Sequence, residues 1–219
     1  YDSGKLSRKF LTAAIPLNKN QYAAAMYHDL ITPLTSIRTA LPEIDVERLQ
    51  VVKNSVLIHP GVSKISVEKN MIKTITPEVW AEVVRGLAAA GKKVRLAGGP
   101  DDKECIEKIV SLCADVEFEN LYGTTKNLRE LAQLISGAEK FVCSDSAPLH
   151  VAVALGVKTY AIFGPTDDKK LIPPTVTALK ANDKCPLKPC LWERRQTSCE
   201  TLDCLKISAE DIVKKIVAG

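Results

Sequence analysis

From Ser55 onward the chain alternates short apolar runs with longer segments whose apolar positions recur every three to four residues. Apolar runs of four or five residues between Gly, Pro or polar turns read as buried strands. Segments of about ten residues with helical spacing read as helices. The pattern predicts strands at Val56–His59, Lys93–Ala97, Val116–Phe118, Lys140–Cys143 and Thr159–Phe163. It predicts helices at Pro77–Ala90, Asp102–Cys113, Asn127–Ile135, Pro148–Leu155 and Ala209–Val217. Such alternation implies an α/β fold, a Rossmann-like parallel sheet with helices on both faces. The punctuation agrees. Thr76 stands at an N-cap with Pro77 at the first helical position. Gly91 ends the same helix as a left-handed cap. Ser208 caps the last helix, with Asp211 three residues on.

Two regions break this rhythm. Residues 1–53 hold no strand–turn–helix of nucleotide-binding type. There Asn20–Ile37 reads as an Ala-rich helix interrupted by Pro33, and Leu41-Pro-Glu-Ile as a connector. Pro165–Lys206 carries five prolines and four of the seven cysteines, and is too long to be structureless without a reason.

The most informative segment is Cys143-Ser-Asp-Ser-Ala-Pro-Leu-His-Val-Ala-Val-Ala-Leu-Gly156, followed by Tyr160-Ala-Ile-Phe-Gly-Pro-Thr166. It reads as a strand, a polar turn, a buried helix and a second strand ending in a turn. Such a unit sets the N–H groups of a helix start beside a strand end, which is an anion site. Ligands of open α/β sheets sit at the carboxyl ends of strands. Asp145, Ser146, Ala147 and His150 therefore stand where a phosphorylated ligand would lie. The bland alternative is a cap that only starts the helix. Gly61-Val-Ser63 after the first strand and Gly98-Gly-Pro-Asp-Asp102 after the second permit close backbone approach to a ligand. Ser63 can bond phosphate. Asp102 is placed for a hydroxyl contact, and Asp101 for a helix cap.

Composition narrows the partners. Of 219 residues 46% are apolar, 26% charged and only 5% aromatic, with a formal charge of +4 and a pI near 8.6. That balance describes an ordinary globular surface and gives no footprint for nucleic acid. It is compatible with anionic substrates or peripheral contact with an anionic membrane. No apolar run approaches the ~20 residues of a transmembrane helix. Tyr1-Asp-Ser-Gly is not the expected start of a native chain, so a fragment is expected.

The quoted segments resemble glycosyltransferase family 9, that of the ADP-heptose:lipopolysaccharide heptosyltransferases. The resemblance runs from about Ser55 to Ile216 through Val56-Leu-Ile-His-Pro-Gly61, Lys73…Pro77-Glu-Val-Trp80, Leu96-Ala-Gly-Gly-Pro-Asp-Asp102 and the Asp-Ser-Ala-x-x-His turn. It departs at Ala147, where the family usually has Gly. It implies the C-terminal, donor-binding half of a GT-B fold over residues 54–219, with 1–53 as a helical remnant of the acceptor-side half. It implies inverting transfer of a sugar, heptose in the family, from an ADP-linked donor to a lipid-linked or oligosaccharide acceptor of lipopolysaccharide type, in the cytoplasm at the inner face of the membrane. No metal or other cofactor is implied. Lys73 matches the family's lysine at the leaving diphosphate, with Lys64 and Lys69 as competitors. Asp102 matches its ribose contact, and Thr125 and Lys126 its base-contacting loop. The general base is expected outside this chain. Two alternatives stand beside this reading: a truncated, non-catalytic nucleotide-binding module, and a GT-B-like nucleotide-sugar epimerase, for which His59 at a strand end is the available imidazole.

Cys185, Cys190, Cys199 and Cys204 are separated by four, eight and four residues. Three readings remain open: a structural zinc site with four thiolate ligands, two disulfides, or unlinked thiols. Trp192 is expected to pack their loop against the sheet.

Overall fold

The computed structural model describes residues 8–16, 18, 20–36, 42–182, 184–191 and 199–219. Trp192 and Ile37 lie outside the described residues, so the expected packing of the one and the helix end at the other are not addressed.

Six strands form one sheet: β1 Val52–His59, β2 Lys93–Leu96, β3 Glu119–Asn120, β4 Ala138–Ser144, β5 Lys158–Ile162 and β6 Thr177–Leu179. Their order is β3-β2-β1-β4-β5-β6, and every pairing is parallel. The helices are α1 Ala23–Asp29, α2 Lys64–Glu68, α3 Pro77–Ala89, α4 Lys103–Leu112, α5 Leu128–Ser136, α6 Ala147–Leu155, α7 Asp168–Leu171 and α8 Ala209–Ala218.

Side chains alternate across the strands, so each strand feeds two cores. Val56, Ile58, Val142, Tyr160 and Ile162 face the layer of α3, α4 and α8. Leu57, Phe141, Cys143 and Ala161 face α5 and α6. Helix α3 presents Trp80, Val83, Val84 and Leu87, all fully buried, at helical spacing. Each such side chain contributes about 1.5–3 kcal/mol by leaving water. Helix α6 is apolar except for His150, with Leu149, Val151, Ala152, Val153 and Leu155 buried, as a helix packed on a sheet must be.

Several boundaries differ from the pattern's prediction. The third strand lies at Glu119–Asn120, not Val116–Phe118, because the apolar pair Val116 and Phe118 packs beneath the sheet while pairing with Arg95 and Leu96 comes later. Asp102 belongs to a short 3₁₀ turn, Pro100–Asp102, and α4 begins after it. Helix α1 is only seven residues long, followed by turns through Leu34. Thr76 occupies the N-cap of α3, yet its side chain makes no capping bond. Ser208 does cap α8, accepting from the Asp211 N–H at 3.1 Å. Strand β6 and helix α2 carry no periodic signal and were not expected.

The division at 53/54 cuts through packed structure. Strand β1 starts at Val52, and Ile44 and Val46 pack on the α5–α6 core. Arg48 Nη1 donates to the Leu155 carbonyl at 2.9 Å, and Leu49 N–H to Ser136 Oγ at 3.0 Å. The sheet body therefore takes in the chain from Ile44.

Candidate functional site at the switch point

Strands β1 and β4 are neighbours, but β1 leads outward to β2 and β4 leads the other way to β5. The crevice at such a reversal, outside the strands' carboxyl ends, is where doubly wound sheets hold ligands. His59 ends β1 in register with Cys143. The turns 60–63, 98–102, 124–127 and 145–148 gather above them. They wall an open cleft of about 450 Å³ whose lining includes His59, Ser63, Asp102, Lys126, Ser146 and Ala147.

The floor is fixed by a buried hydroxyl network. Ser144 Oγ lies 2.8 Å from the Pro60 carbonyl and 2.7 Å from Thr74 Oγ1. Thr74 Oγ1 lies 2.7 Å from the same carbonyl and accepts from Trp80 Nε1 at 3.1 Å. Each hydroxyl has one proton. Three protons serve these four contacts: Trp80 donates to Thr74, and the two hydroxyl protons are divided among the Pro60 carbonyl and the contact between the hydroxyls. This ties the end of β4 to the turn after β1 and to the loop before α3.

Anchoring Thr74 positions its neighbour. Beside the cleft and outside its lining, Lys73 Nζ sits 3.6 Å from Asp145 Oδ2. The same Asp145 oxygen accepts from Thr166 Oγ1 of the Gly-Pro-Thr turn at 2.8 Å. Asp145 is buried, so its charge is compensated locally rather than by water. His150, one turn into α6, is exposed at the rim. Partial burial lowers its pKa below the ordinary histidine value, with Asp145 pulling up and Lys73 pushing down. The competing lysines are elsewhere: Lys64 faces Glu68 at 3.9 Å on the exposed side of α2.

Ser146 is the N-cap residue of α6, but its hydroxyl makes no capping bond and lies 3.3 Å from the Ser144 carbonyl. Ala147 opens the first helical turn at the cleft with an N–H that no residue of the helix accepts, whereas the Leu149 N–H donates to the Ser146 carbonyl at 3.1 Å. Pro148, the second residue, has no N–H to offer. Ser63 is spent differently: its Oγ accepts from the Ser66 N–H at 3.4 Å as the cap of α2 and contacts Ser66 Oγ at 2.9 Å.

Asp102 is turned inward. Its Oδ2 accepts from the Gly99 N–H at 2.8 Å and lies 3.6 Å from His59 Nε2. Its Oδ1 fills the space beside Gly61, where an added Cβ would stand 1.5 Å away. Only an edge of this carboxylate faces the cleft. Burial raises its pKa above the usual carboxylate range against the pull of His59. Asp101 is not a helix cap; its Oδ2 accepts from the Lys64 N–H at 3.0 Å. Lys126 is exposed on the opposite wall, its own N–H held by Glu130 Oε2 at 2.7 Å.

Four residues were missed or underused by sequence reasoning: Thr166, Thr74, Ser144 and His59. Thr166 had a signal, the Gly-Pro-Thr turn at the end of the neighbouring strand. Thr74 and Ser144 had none.

The four clustered cysteines line one small cavity of about 30 Å³ between the Asn70–Ile72 loop and the Pro165 turn. No disulfide joins them. Among the described residues no three His, Cys, Asp or Glu side chains gather as a metal site. Cys190 Sγ contacts the Pro165 carbonyl at 3.9 Å, which sets this loop against the turn bearing Thr166.

The model of glycosyltransferase family 9 (heptosyltransferase) matches residues 16–200. The chain belongs to glycosyltransferase family 9. Lipopolysaccharide heptosyltransferase 3 of Escherichia coli is 31% identical to this family 9 chain over 125 residues, 56% of the chain and 35% of the relative. Lipooligosaccharide heptosyltransferase 2 of Campylobacter jejuni is 25% identical over 122 residues, 50% of the chain and 38% of the relative. The chain thus spans little more than a third of these curated relatives. Among solved structures, a family 9 glycosyl transferase of Veillonella parvula superposes with TM-score 0.68 at 21% identity, over 97% of this chain and 65% of that one. The E. coli heptosyltransferase WaaC with ADP also gives 0.68, at 15% identity, over 96% of this chain and 61% of that one. These likenesses establish the fold, the six-stranded parallel layer of the GT-B glycosyltransferases. Among the described residues no helix is long and apolar enough to cross a membrane.

Proposed function

We propose that this chain is the donor-binding part of a family 9 glycosyltransferase. In this reading it holds a nucleoside diphosphate sugar of the ADP-heptose kind, for inverting transfer to an acceptor of lipopolysaccharide type. The observation that carries the reading is the meeting of Ser146 and the Ala147 N–H in the cleft lining at the β1/β4 switch point, with Lys73 paired to the adjacent Asp145. A hydroxyl and a helix-start N–H in the crevice, with an ammonium beside them, fit a diphosphate. Support for adenine and heptose comes from the relatives: one solved neighbour was determined with ADP and another E. coli WaaC structure with ADP-2-deoxy-2-fluoro heptose.

The chemistry assigned to these residues is electrostatic. As the acceptor oxygen bonds to the anomeric carbon, the bond from that carbon to the diphosphate breaks and negative charge grows on the leaving oxygen. Lys73, released from Asp145 toward the diphosphate, and the α6 N-terminus offset that charge. Asp145 and Thr166 hold the lysine in reach. His150 at the rim donates to phosphate, while Ser63 and Lys126 flank the two ends of the ligand. Asp102 forms the wall beside the ribose. The acceptor proton passes to a base outside the residues described.

Titration of the chain with ADP, UDP and GDP tests this. ADP is expected to bind selectively. Ser146→Ala with Lys73→Ala is expected to weaken it by about a hundredfold, two charge- or hydroxyl-phosphate contacts at about 1–2 kcal/mol each. Unchanged affinity in the double variant would remove the site.

A further inference from the structure

His59 is the one imidazole built into the sheet. It closes β1 at the switch point, its side chain 9% exposed, beside an Asp102 side chain 7% exposed. The two face each other at 3.6 Å, and Nδ1 of the ring is buried with no hydrogen-bond partner. Both residues line the cleft. The donor-site reading uses Asp102 as a wall and leaves His59 idle.

We propose that His59 and Asp102 act as one proton-holding unit, so that a nucleoside diphosphate enters this cleft together with one proton. The inference rests on the donor-site reading above. With a neutral ring and an ionised carboxylate, the pair carries a buried negative charge at the mouth that must receive an anion. With one proton shared, the pair is neutral overall and no longer repels the ligand. An incoming diphosphate therefore selects the protonated pair, by ordinary linkage. Asp102 is already anchored by the Gly99 N–H and wedged against Gly61, so it cannot swing away from the repulsion.

The surrounding groups do not supply this proton. Asp101 on the same turn adds negative charge and reinforces the need for it. Cys105 on α4 and Cys143 beside His59 on β4 are held in the thiol form by burial. Lys64 at the head of α2 faces Glu68, and Lys126 stands on the opposite wall. In the ligand-free protein burial lowers the His59 pKa, against the pull of Asp102 and of its own carbonyl, so the ring is neutral near pH 7. An adjacent anion raises that value. The sign follows: affinity rises as pH falls toward the ring's ligand-bound pKa and declines above it.

The test is calorimetric titration of the chain with ADP between pH 7 and 8.5, in buffers of different ionisation enthalpy. ADP's own titration is removed by comparison with Asp102→Asn, in which the pair carries no negative charge. The wild type is expected to take up close to one proton more than Asp102→Asn, and to lose up to about tenfold in affinity per pH unit where the variant loses less. Proton NMR of the wild type gives a readout that does not depend on that variant's folding. The chain has three histidines, so the His59 ring signal is assigned by elimination with His28→Gln and His150→Gln, and should move toward the imidazolium position when ADP is added at pH 7.5. ADP binding with a still His59 signal and equal proton uptake in both proteins overturns the inference alone. Failure of ADP to bind at any pH overturns the donor-site reading and this inference with it.

Discussion

At the residue scale the site depends on a glycine with no special backbone angle. Gly61 does not lie in the left-handed region; what it provides is room for the Asp102 carboxylate, which would stand 1.5 Å from an added Cβ. Gly61→Ala should cost about 1–3 kcal/mol, the usual range for overpacking. Asp102→Ala should remove the obstacle, so urea melts of the two single variants and the double should show the double more stable than the sum predicts. Simple additivity would mean that the turn yields elsewhere. The thiols give a second residue-scale prediction. Burial, with Asp102 and Glu78 nearby, pushes Cys105 up to about 11, and Cys143 is pushed well above the ordinary thiol value. Cys199 moves the other way, because the Leu202 and Thr201 N–H groups hydrogen-bond its sulfur. Only the thiolate reacts. Brief iodoacetamide treatment at pH 8, followed by peptide mass spectrometry, should therefore mark Cys199 first and leave Cys105 and Cys143 unmodified. Early labelling of Cys105 would contradict its environment.

At the scale of elements the decisive contact is α3 against α8. Gly86 lies inside α3, where Ala would favour the helix by about 1 kcal/mol. A Cβ there would stand 2.8 Å from Val213 Cγ2 of α8, and a β-branched side chain has few rotamers to escape into. Gly86→Ala alone should therefore lower the denaturation midpoint despite its better propensity. Gly86→Ala made in a Val213→Ala background should raise it, and a rise in both backgrounds would show that the helices separate easily. These elements also show what was legible beforehand. Strands β1, β4 and β5 were readable because both faces of each are buried, so their apolar runs are unbroken. Edge strand β3 buries neither of its residues, and β6 only Leu179, so neither leaves a hydrophobic signature. The first residues of β1 were hidden by Asn54, whose left-handed φ of 61° shifts the register before Val56. For the proposed site, turn chemistry and family order single out Asp145, Ser146 and Lys73 in the sequence. The pairing of Asp102 with His59 was not legible, since it joins two strand ends whose adjacency only the sheet order creates.

At the scale of the whole molecule, the chain divides by burial and not by where the strand pattern begins. None of the described residues between Arg8 and Ser36 is buried, and no residue of α1 joins either core. Ile44, Val46, Arg48 and Leu49, by contrast, hold to α5 and α6. Deleting residues 1–41 should therefore leave the thermal midpoint within about 2 °C of the full chain, since little apolar surface is returned to water. Deleting residues 1–51 strips two apolar side chains and two hydrogen bonds from the α5–α6 layer. At about 1 kcal/mol for each, that is about 4 kcal/mol, or about 8–16 °C in a protein of this size. Scanning calorimetry of the two shortened chains measures both. A large loss already in the first would mean that the early helical region holds the sheet body through contacts beyond those described. A negligible loss in the second would return the domain's edge to β1 and make the 44–51 segment a linker. The expected pattern, a small loss followed by a large one, makes that segment an integral strap across the α5–α6 layer, reaching by Arg48 the carboxyl end of α6, the helix whose other end carries Ser146.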